Sequence, residues 1–142
     1  IDLINSNVLD VYSGIGSFGL ECISRGSKRV TFVEKDKNAL EMLDKNLISL
    51  KIKQKSFVAT KEIEFFLDGE LLEKYEILFL DPPFSDNSYL NILKSIKKKN
   101  IYTKNHIVII HREKKSLDDY SGILNPIIVK IYGRSKIIFG NF

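Results

Sequence analysis

The sequence predicts a single α/β domain, built on a mostly parallel, twisted sheet with helices on both faces and an antiparallel hairpin at its C-terminal end. Apolar, β-branched runs alternate with amphipathic stretches through most of the chain, which is typical of strand–helix–strand units. A glycine-rich turn at residues 14–19 directly follows the first apolar run, as it does in doubly wound sheets. The 142 residues contain no linker-like segment, so we expect one domain over residues 1–142.

Five strands are expected before the hairpin. Each is a short run rich in Val, Ile, Leu and Phe, and they cover residues 7–12, 29–34, 55–59, 75–80 and 106–111. The run at 75–80 is almost continuously apolar, as expected of a central parallel strand that is covered on both faces. The run at 55–59 is the weakest of the five.

Four helices are expected between these strands, at residues 17–25, 36–50, 61–67 and 88–99. The clearest is the second, because its leucines recur three or four residues apart on one face: Leu40, Leu43, Leu47 and Leu50. Asp36 is expected to cap the N-terminus of this helix.

The C-terminal hairpin is predicted from two strand-like runs, residues 127–132 and 135–139. Gly133 and Arg134 lie between them and suit a tight turn, and Arg134 is interpreted as a turn residue. We expect the two strands to pair antiparallel at the edge of the sheet.

The composition limits the partners of the protein. A net charge of +4 permits an anionic partner such as RNA but does not require one. Four lysines form either a phosphate-binding patch or a solvated face: Lys94, Lys97, Lys98 and Lys99. One cysteine, Cys22, excludes an internal disulfide, and the histidines and cysteine show no metal-ligand spacing. No apolar stretch approaches the ~18 residues that span a bilayer.

These features lead us to expect a cytoplasmic monomer that binds neither a metal nor a membrane. The chain begins with Ile1 rather than Met, and a strand follows almost at once. We therefore also expect that a native N-terminal segment is missing from the sequence.

The glycine-rich turn has the spacing of a nucleotide-binding turn. Gly14, Gly16 and Gly19 follow a strand and precede a helix, where glycine allows a ligand to approach the backbone closely. Glu34 ends the next strand, 20 residues after Gly14, and its carboxylate can accept hydrogen bonds from both hydroxyls of a ribose. Both NAD and S-adenosylmethionine carry such a ribose. The alternative is a tight turn that binds no ligand.

Two more polar residues belong to this predicted cofactor site. Asp10 is an acid inside an apolar strand, which is a costly position for an unpaired charge. Its carboxylate either holds the ammonium group of the ligand, directly or through water, or accepts hydrogen bonds from amides of the turn. Ser13 lies in the turn itself and is also expected to contact the cofactor.

A second motif, Asp81-Pro82-Pro83-Phe84, follows the central apolar strand. In an open α/β sheet it should lie beside the glycine turn, because ligands bind beyond the carboxyl ends of the strands. Asp81 and the Pro82 carbonyl can accept the two N–H groups of an exocyclic base amine, whose lone pair is otherwise delocalised into the ring. Phe84 can stack on a flipped base. The motif therefore indicates methylation of a base amino group, unless it is only a turn that ends a strand.

The order of these motifs resembles the bacterial 16S ribosomal RNA guanine-N2 methyltransferases, the RsmD-like family of class I methyltransferases. The resemblance runs from about Val8 to the C-terminus and includes further short matches: Gly19-Leu20-Glu21, Ser24-Arg25-Gly26, Phe32-Val33-Glu34, Asn46-Leu47, Leu80 before the tetrapeptide, and Tyr132-Gly133. It implies a Rossmann-like methyltransferase fold and methylation of the N2 amine of a guanine. The implied partner is ribosomal RNA, either naked or within the assembling small ribosomal subunit.

The resemblance also implies residue roles. Asp10, Gly14, Gly16 and Glu34 would bind S-adenosylmethionine, whose product is S-adenosylhomocysteine. Asp81, Pro82 and Phe84 would grip the target base, with Asp81 also beside the cofactor.

The chain departs from the family pattern at three places. Phe84 stands where the family usually has Tyr, and the family's N-terminal segment is absent. Many members carry an acid after the third strand to bind the adenine of the cofactor. This chain has no acid there, so Thr60 or a backbone amide would bind the adenine instead.

Other readings of the sequence stay open at this point. The same tetrapeptide serves adenine-N6 methylation of DNA, and the glycine turn serves a nicotinamide-dependent oxidoreductase. A catalytically silent, truncated methyltransferase core is a further alternative. His111 and Arg112 either line the substrate side or are solvated polar groups at the end of a strand.

Overall fold

The computed structural model describes residues 2–71 and 73–142, and it confirms the predicted α/β class. Seven strands in the described residues form one sheet: β1 Asn7–Val11, β2 Arg29–Val33, β3 Ser56–Ala59, β4 Tyr75–Leu80, β5 Tyr102–Glu113, β6 Asn125–Tyr132 and β7 Ser135–Asn141. Four α-helices connect them in the described residues: α1 Ser17–Ser24, α2 Lys37–Ser49, α3 Ile63–Asp68 and α4 Tyr89–Lys99. A 3₁₀ turn, Lys53–Lys55, precedes β3.

The helices cover the two faces of the sheet in pairs. Leu43 and Leu47 of α2 pack with Cys22 and Ile23 of α1 against one face. The other face is covered by α3 and α4 through residues such as Leu93. The predicted helix cap is confirmed, because the Asp36 carboxylate accepts a hydrogen bond from the Ala39 amide. Leu50 follows the leucine spacing but does not share the packed face, since it is exposed where α2 ends.

The strand order β3-β2-β1-β4-β5-β7-β6 places the topological switch point between β1 and β4. The first five strands pair parallel, and the C-terminal strands add the predicted antiparallel hairpin, with β7 inserted beside β5. In such a sheet the crevice for a ligand lies beyond the carboxyl ends of the strands at the switch point.

Strand β5 is longer than the sequence predicts. Its first residues are polar or aromatic, but Tyr102 still pairs with Tyr75 of β4 across an irregularity in register. At its other end the strand continues to Glu113 because β7 pairs with it there. Arg112 is therefore part of the strand, as its penultimate residue. Among the described residues, no helix is long and apolar enough to cross a membrane.

Candidate active site

Three neighbouring strands bring the two predicted motifs to one edge of the sheet. Val11 of β1 pairs with Val33 of β2 on one side and with Leu80 of β4 on the other. The next residues along the three strands are Tyr12, Glu34 and Asp81. Because paired strands lie about 5 Å apart, the glycine turn and the tetrapeptide face a common crevice.

A cavity of about 650 Å³ occupies this crevice. It is lined by four of the residues predicted to form the site: Glu34, Asp81, Pro82 and Phe84. Pro83 of the tetrapeptide and His111 line it as well, together with residues that the sequence did not single out for the site: Tyr12, Val33, Lys35, Lys61, Glu62, Ile63, Glu64, Asp86 and Ser88. The other predicted site residues do not line the cavity: Asp10, Ser13, Gly14, Gly16 and Thr60. Five of the lining residues are acids and two are lysines, so the cavity favours a cationic ligand.

Glu34 is held firmly at the mouth of the glycine turn. Its Oε1 accepts a hydrogen bond of 2.7 Å from the Gly14 amide, and its Oε2 accepts bonds of 2.9 Å from the amides of Lys35 and Asp36. A carboxylate offers about four acceptor sites, so Oε1 keeps capacity for a further donor. The same carboxylate can thus fix the turn and receive a hydroxyl group.

Asp10 is buried beneath the turn, with only 1% of its surface exposed. Its Oδ2 accepts a hydrogen bond of 3.1 Å from the Gly19 amide, while Oδ1 has no partner within the described part of the chain. Burial raises the pKa of Asp10 well above its ordinary value. The turn-amide interpretation therefore accounts for one oxygen, and the other is buried without a partner among the described residues.

The glycines of the turn serve packing as much as ligand approach. Gly16 has a φ of +90°, and a Cβ there would lie 2.5 Å from a methyl carbon of Leu43. A Cβ on Gly19 would lie 2.3 Å from the Phe32 ring. These two glycines allow α1 to sit close to α2 and β2, so the expectation that ligand approach alone requires them was incomplete.

The front of the turn, in contrast, is open. A Cβ on Gly14 would meet nothing within 4 Å. The neighbouring Ser13 has a buried hydroxyl oxygen without a hydrogen-bond partner among the described residues. Tyr12 adopts a φ of 59°, which is unusual for a residue other than glycine and often marks a functional site. Burial also raises the pKa of Tyr12, so its hydroxyl stays a neutral donor.

Thr60 lies beside the cavity without lining it. It is exposed and follows β3, and the next two residues, Lys61 and Glu62, do line the cavity. The proposed contact of Thr60 with a cofactor therefore remains a prediction.

The tetrapeptide presents its functional groups to the cavity. Pro82 is buried, whereas the Phe84 ring is 46% exposed and the Asp81 side chain 44% exposed. The Asp86 amide donates a 2.9 Å hydrogen bond to the Pro83 carbonyl, which closes a turn after the motif. The motif is thus an ordered loop with an accessible carboxylate and an accessible aromatic face.

Arg112 holds this loop from below. It is 1% exposed, and its guanidinium donates to the carbonyls of Pro83 and Phe84 at 3.2 and 3.1 Å. It also donates to Asp118 at 3.0 Å and lies 4.6 Å from the centre of the Tyr89 ring. The interpretation of Arg112 as a solvated strand-end group is wrong.

The partner of Arg112 is a nearly buried carboxylate. Burial works to raise the pKa of Asp118, but hydrogen bonds from Ser116 and Arg112 outweigh it and hold the pKa below its ordinary value. Asp118 therefore stays charged and balances the buried guanidinium. The signal in the sequence was a charged residue close to an apolar run, since Arg112 follows the run 107–110 after one residue.

His111 reaches the tetrapeptide from the same strand. Its Nδ1 lies 2.8 Å from Asp81 Oδ1, and its Nε2 lies 2.8 Å from the Ser135 hydroxyl. Of its two sequence interpretations, the structure therefore favours the one in which it lines the substrate side. Among the described residues, no cluster of His, Cys, Asp and Glu suits a metal ion.

The fold and the crevice define the class: a Rossmann-like class I methyltransferase fold. A family described as conserved hypothetical protein 95 matches residues 2–141, and the chain belongs to this family. The predicted resemblance to the RsmD-like methyltransferases is confirmed by its relatives. One of them, the ribosomal RNA small subunit methyltransferase D of Haemophilus influenzae, is 32% identical over 111 residues, or 77% of this chain.

Solved structures agree with this fold. A conserved hypothetical protein of Streptococcus pyogenes is 27% identical and superimposes with a TM-score of 0.89, covering 98% of this chain and 88% of its own. A candidate methyltransferase in complex with S-adenosylhomocysteine shares the fold at 11% identity, with a TM-score of 0.82 over 99% of this chain and 46% of its own. The chain spans 58% of the length of the first two curated relatives that it matches.

Proposed function

We propose that this chain is the catalytic core of a methyltransferase that transfers a methyl group from S-adenosylmethionine to the exocyclic N2 of a guanine in 16S ribosomal RNA. One observation carries the proposal: Glu34, whose carboxylate accepts a hydrogen bond from the Gly14 amide of the glycine turn, lines the same cavity as Asp81. The family and the name of its Haemophilus influenzae relative support ribosomal RNA as the substrate. The family and this relative also favour a methyltransferase over a nicotinamide-dependent oxidoreductase.

The residues around the turn fit the cofactor. When bound, S-adenosylmethionine supplies an electrophilic methyl group on a positively charged sulfur. Asp10 Oδ1 and the Ser13 hydroxyl are buried acceptors that lack a partner among the described residues, and both suit the amino-acid end of the cofactor. Glu34 Oε1 keeps acceptor capacity for a ribose hydroxyl. The acidic cavity favours a cationic ligand over a neutral one.

The tetrapeptide fits the acceptor base. Asp81 uses Oδ1 for His111, and among the described residues no donor occupies its Oδ2. This oxygen and the Pro82 carbonyl can accept the two N–H groups of a guanine amine, which turns its lone pair toward the cofactor side of the cavity. Phe84 offers an exposed ring face for stacking, which contributes about 1–3 kcal/mol per base.

The chemistry needs orientation more than acid–base catalysis. The exocyclic amine is a poor nucleophile, but the leaving sulfur departs as a neutral group, so rate depends mainly on holding the two reactants in line. The amine can lose its proton after the transfer. The residues of the cavity therefore act by binding, by orienting and by excluding water.

The test is methyl transfer by the protein with isotope-labelled S-adenosylmethionine. The acceptors are small ribosomal subunits, naked 16S RNA and duplex DNA, and nucleosides are identified by mass spectrometry. We expect labelled N2-methylguanosine from ribosomal RNA. Asp81→Asn should slow the transfer about 10- to 150-fold, the value of a hydrogen bond to a charged group. Glu64→Gln, another acid of the same cavity, is the matched control and should keep most of the rate.

Two results would contradict the proposal. Label in adenine of DNA would assign the chain to the other base chemistry. Absence of transfer to every acceptor, together with tight cofactor binding, would indicate a silent core.

A further inference from the structure

The geometry points to a further positioning residue: His111, anchored by Ser135, holds the Asp81 carboxylate and the Phe84 ring in the arrangement that receives the target base. This inference rests on the proposed function, because it gives the two base-binding groups a common support. None of the motifs that carry the resemblance contains His111 or Ser135.

Strand register brings His111 to Asp81. Leu80 of β4 pairs with Ile110 of β5, so the residues that follow them are neighbours at the same edge of the sheet. Strand β4 ends there, but β5 continues because β7 pairs with it beyond this point. His111 therefore lies on a rigid, hydrogen-bonded strand, whereas Asp81 begins a loop. A residue on a strand can fix a group on a loop more firmly than the reverse.

The two partners of the imidazole determine which ring nitrogen donates a hydrogen bond and which accepts one. A carboxylate oxygen can only accept, so the Nδ1 of His111 carries the hydrogen that points to Asp81 Oδ1. In the neutral ring, Nε2 then accepts a hydrogen bond from the Ser135 hydroxyl. Ser135 lies at the start of β7, so the ring is held at both nitrogens by different elements. This arrangement fixes both the tautomer and the orientation of the ring.

The same ring also supports the stacking residue. The ring centroids of His111 and Phe84 lie 5.4 Å apart at an interplanar angle of 72°, an edge-to-face contact. One side chain thus contacts both the carboxylate and the aromatic ring of the proposed base site. Because Asp81 and Phe84 are each almost half exposed, they have few other contacts to restrict their rotamers.

The consequence for Asp81 is that Oδ1 is bonded to His111, whereas Oδ2 has no donor among the described residues. A carboxylate that rotates freely would lose much of its ability to orient an amine, since small displacements of a reacting group reduce rates strongly. Loss of His111 should therefore lower the rate of transfer while leaving the cofactor site and the overall affinity for RNA nearly unchanged.

The first experiment compares three variants in single-turnover methylation of ribosomal RNA. His111→Leu should lower the rate about 10- to 100-fold, with less than about a threefold change in RNA affinity. His111→Asn keeps an N–H group near the position of Nδ1 and should recover most of the rate. Ser135→Ala should cause an intermediate loss. Calorimetry with S-adenosylhomocysteine and thermal unfolding show that each variant still folds and binds the cofactor.

The second experiment does not depend on activity. The chain has two histidines, so ¹⁵N spectra are simple, and the His106 signals are assigned with a His106→Gln variant. At a pH where both rings are neutral, we expect His111 as the Nδ1–H tautomer, and we expect Asp81→Ala to remove that preference.

The outcomes separate this inference from the proposed function. Three results would each overturn the role of His111. The His111→Leu variant could transfer methyl at the wild-type rate, or His111→Asn could be as slow as His111→Leu. The third is an Nε2–H tautomer of His111 in the wild type. Absence of methyl transfer to RNA by the wild type would instead refute the proposed function. The tautomer would then still decide whether His111 holds Asp81.

Discussion

Replacing Arg112 with Met should cost the protein both stability and activity. Arg112 is 1% exposed, and its partner Asp118 has a side chain that is 5% exposed, so the substitution leaves a buried carboxylate without its cation. Breaking a buried pair in this way costs about 3–5 kcal/mol. Unfolding entropy for 142 residues is roughly 0.3 kcal/mol/K, so the melting temperature should fall by roughly 10–17 °C.

The assay is thermal unfolding followed by single-turnover methylation at a temperature where both proteins are folded. Arg25→Met is the matched control, because it breaks an arginine–glutamate pair whose side chains are 65% and 60% exposed. An exposed pair of this kind contributes about 0.3–0.5 kcal/mol, so the control should melt within about 2 °C of the wild type. Arg112→Met should also slow transfer at least about tenfold, since the carbonyls of Pro83 and Phe84 lose their donors.

A double variant separates the two effects. Asp118→Leu combined with Arg112→Met removes the orphaned carboxylate and should recover much of the stability, as apolar replacements of buried ion pairs often do. The loop carbonyls still lack their donors, so activity should stay low. The reasoning is refuted if Arg112→Met melts like the Arg25 control, or if the double variant regains full activity.

Substitutions at three further positions have expected outcomes. Because burial raises the pKa of Asp10, its ionised form lowers the stability of the protein at neutral pH. This cost disappears as the pH falls toward about 3.9, the pKa of an aspartate in the unfolded chain. In urea unfolding, Asp10→Asn should therefore stabilise the protein at pH 7.5 but much less near pH 4. The same variant should bind S-adenosylhomocysteine more weakly in calorimetry. Phe84→Ala should weaken RNA binding about 5- to 150-fold without a change in melting temperature, whereas Phe84→Tyr should bind like the wild type in the same titration. Gly19→Ala should cost at least about 1–3 kcal/mol in urea unfolding, because its Cβ overlaps the Phe32 ring, and equal stability would contradict the packing role of Gly19.

The local sequence pattern predicted an element correctly where the apolar periodicity and the burial of its residues agree. The apolar run at 75–80 gave the bounds of β4, and Asp36 caps α2 as expected, because both signals depend on neighbouring residues alone. The pattern failed where the bounds of an element depend on residues that are distant in the sequence. The polar start of β5 joins the sheet only because Tyr102 pairs with Tyr75 of β4, and Leu50 follows the spacing of α2 but lies past its last turn.

The candidate site shows the same division. The spacing of Gly14 and Glu34 predicted that both contact one ligand, and the structure brings them together, since the Gly14 amide bonds to the Glu34 carboxylate. The supports of the tetrapeptide were not predictable in this way. Arg112 contacts Pro83, which lies 29 positions away in the sequence. These two residues become neighbours only because β4 pairs with β5.

The central claim is that the turn after β1 and the carboxylate at position 81 share one ligand crevice. A crystal structure of the protein with S-adenosylhomocysteine tests it most directly. The claim predicts the ribose against Glu34, the amino-acid end toward Ser13 and Asp10, and the sulfur on the side of the cavity that Asp81 lines. Ligand bound at any other surface, or with its sulfur turned away from the tetrapeptide, would contradict it.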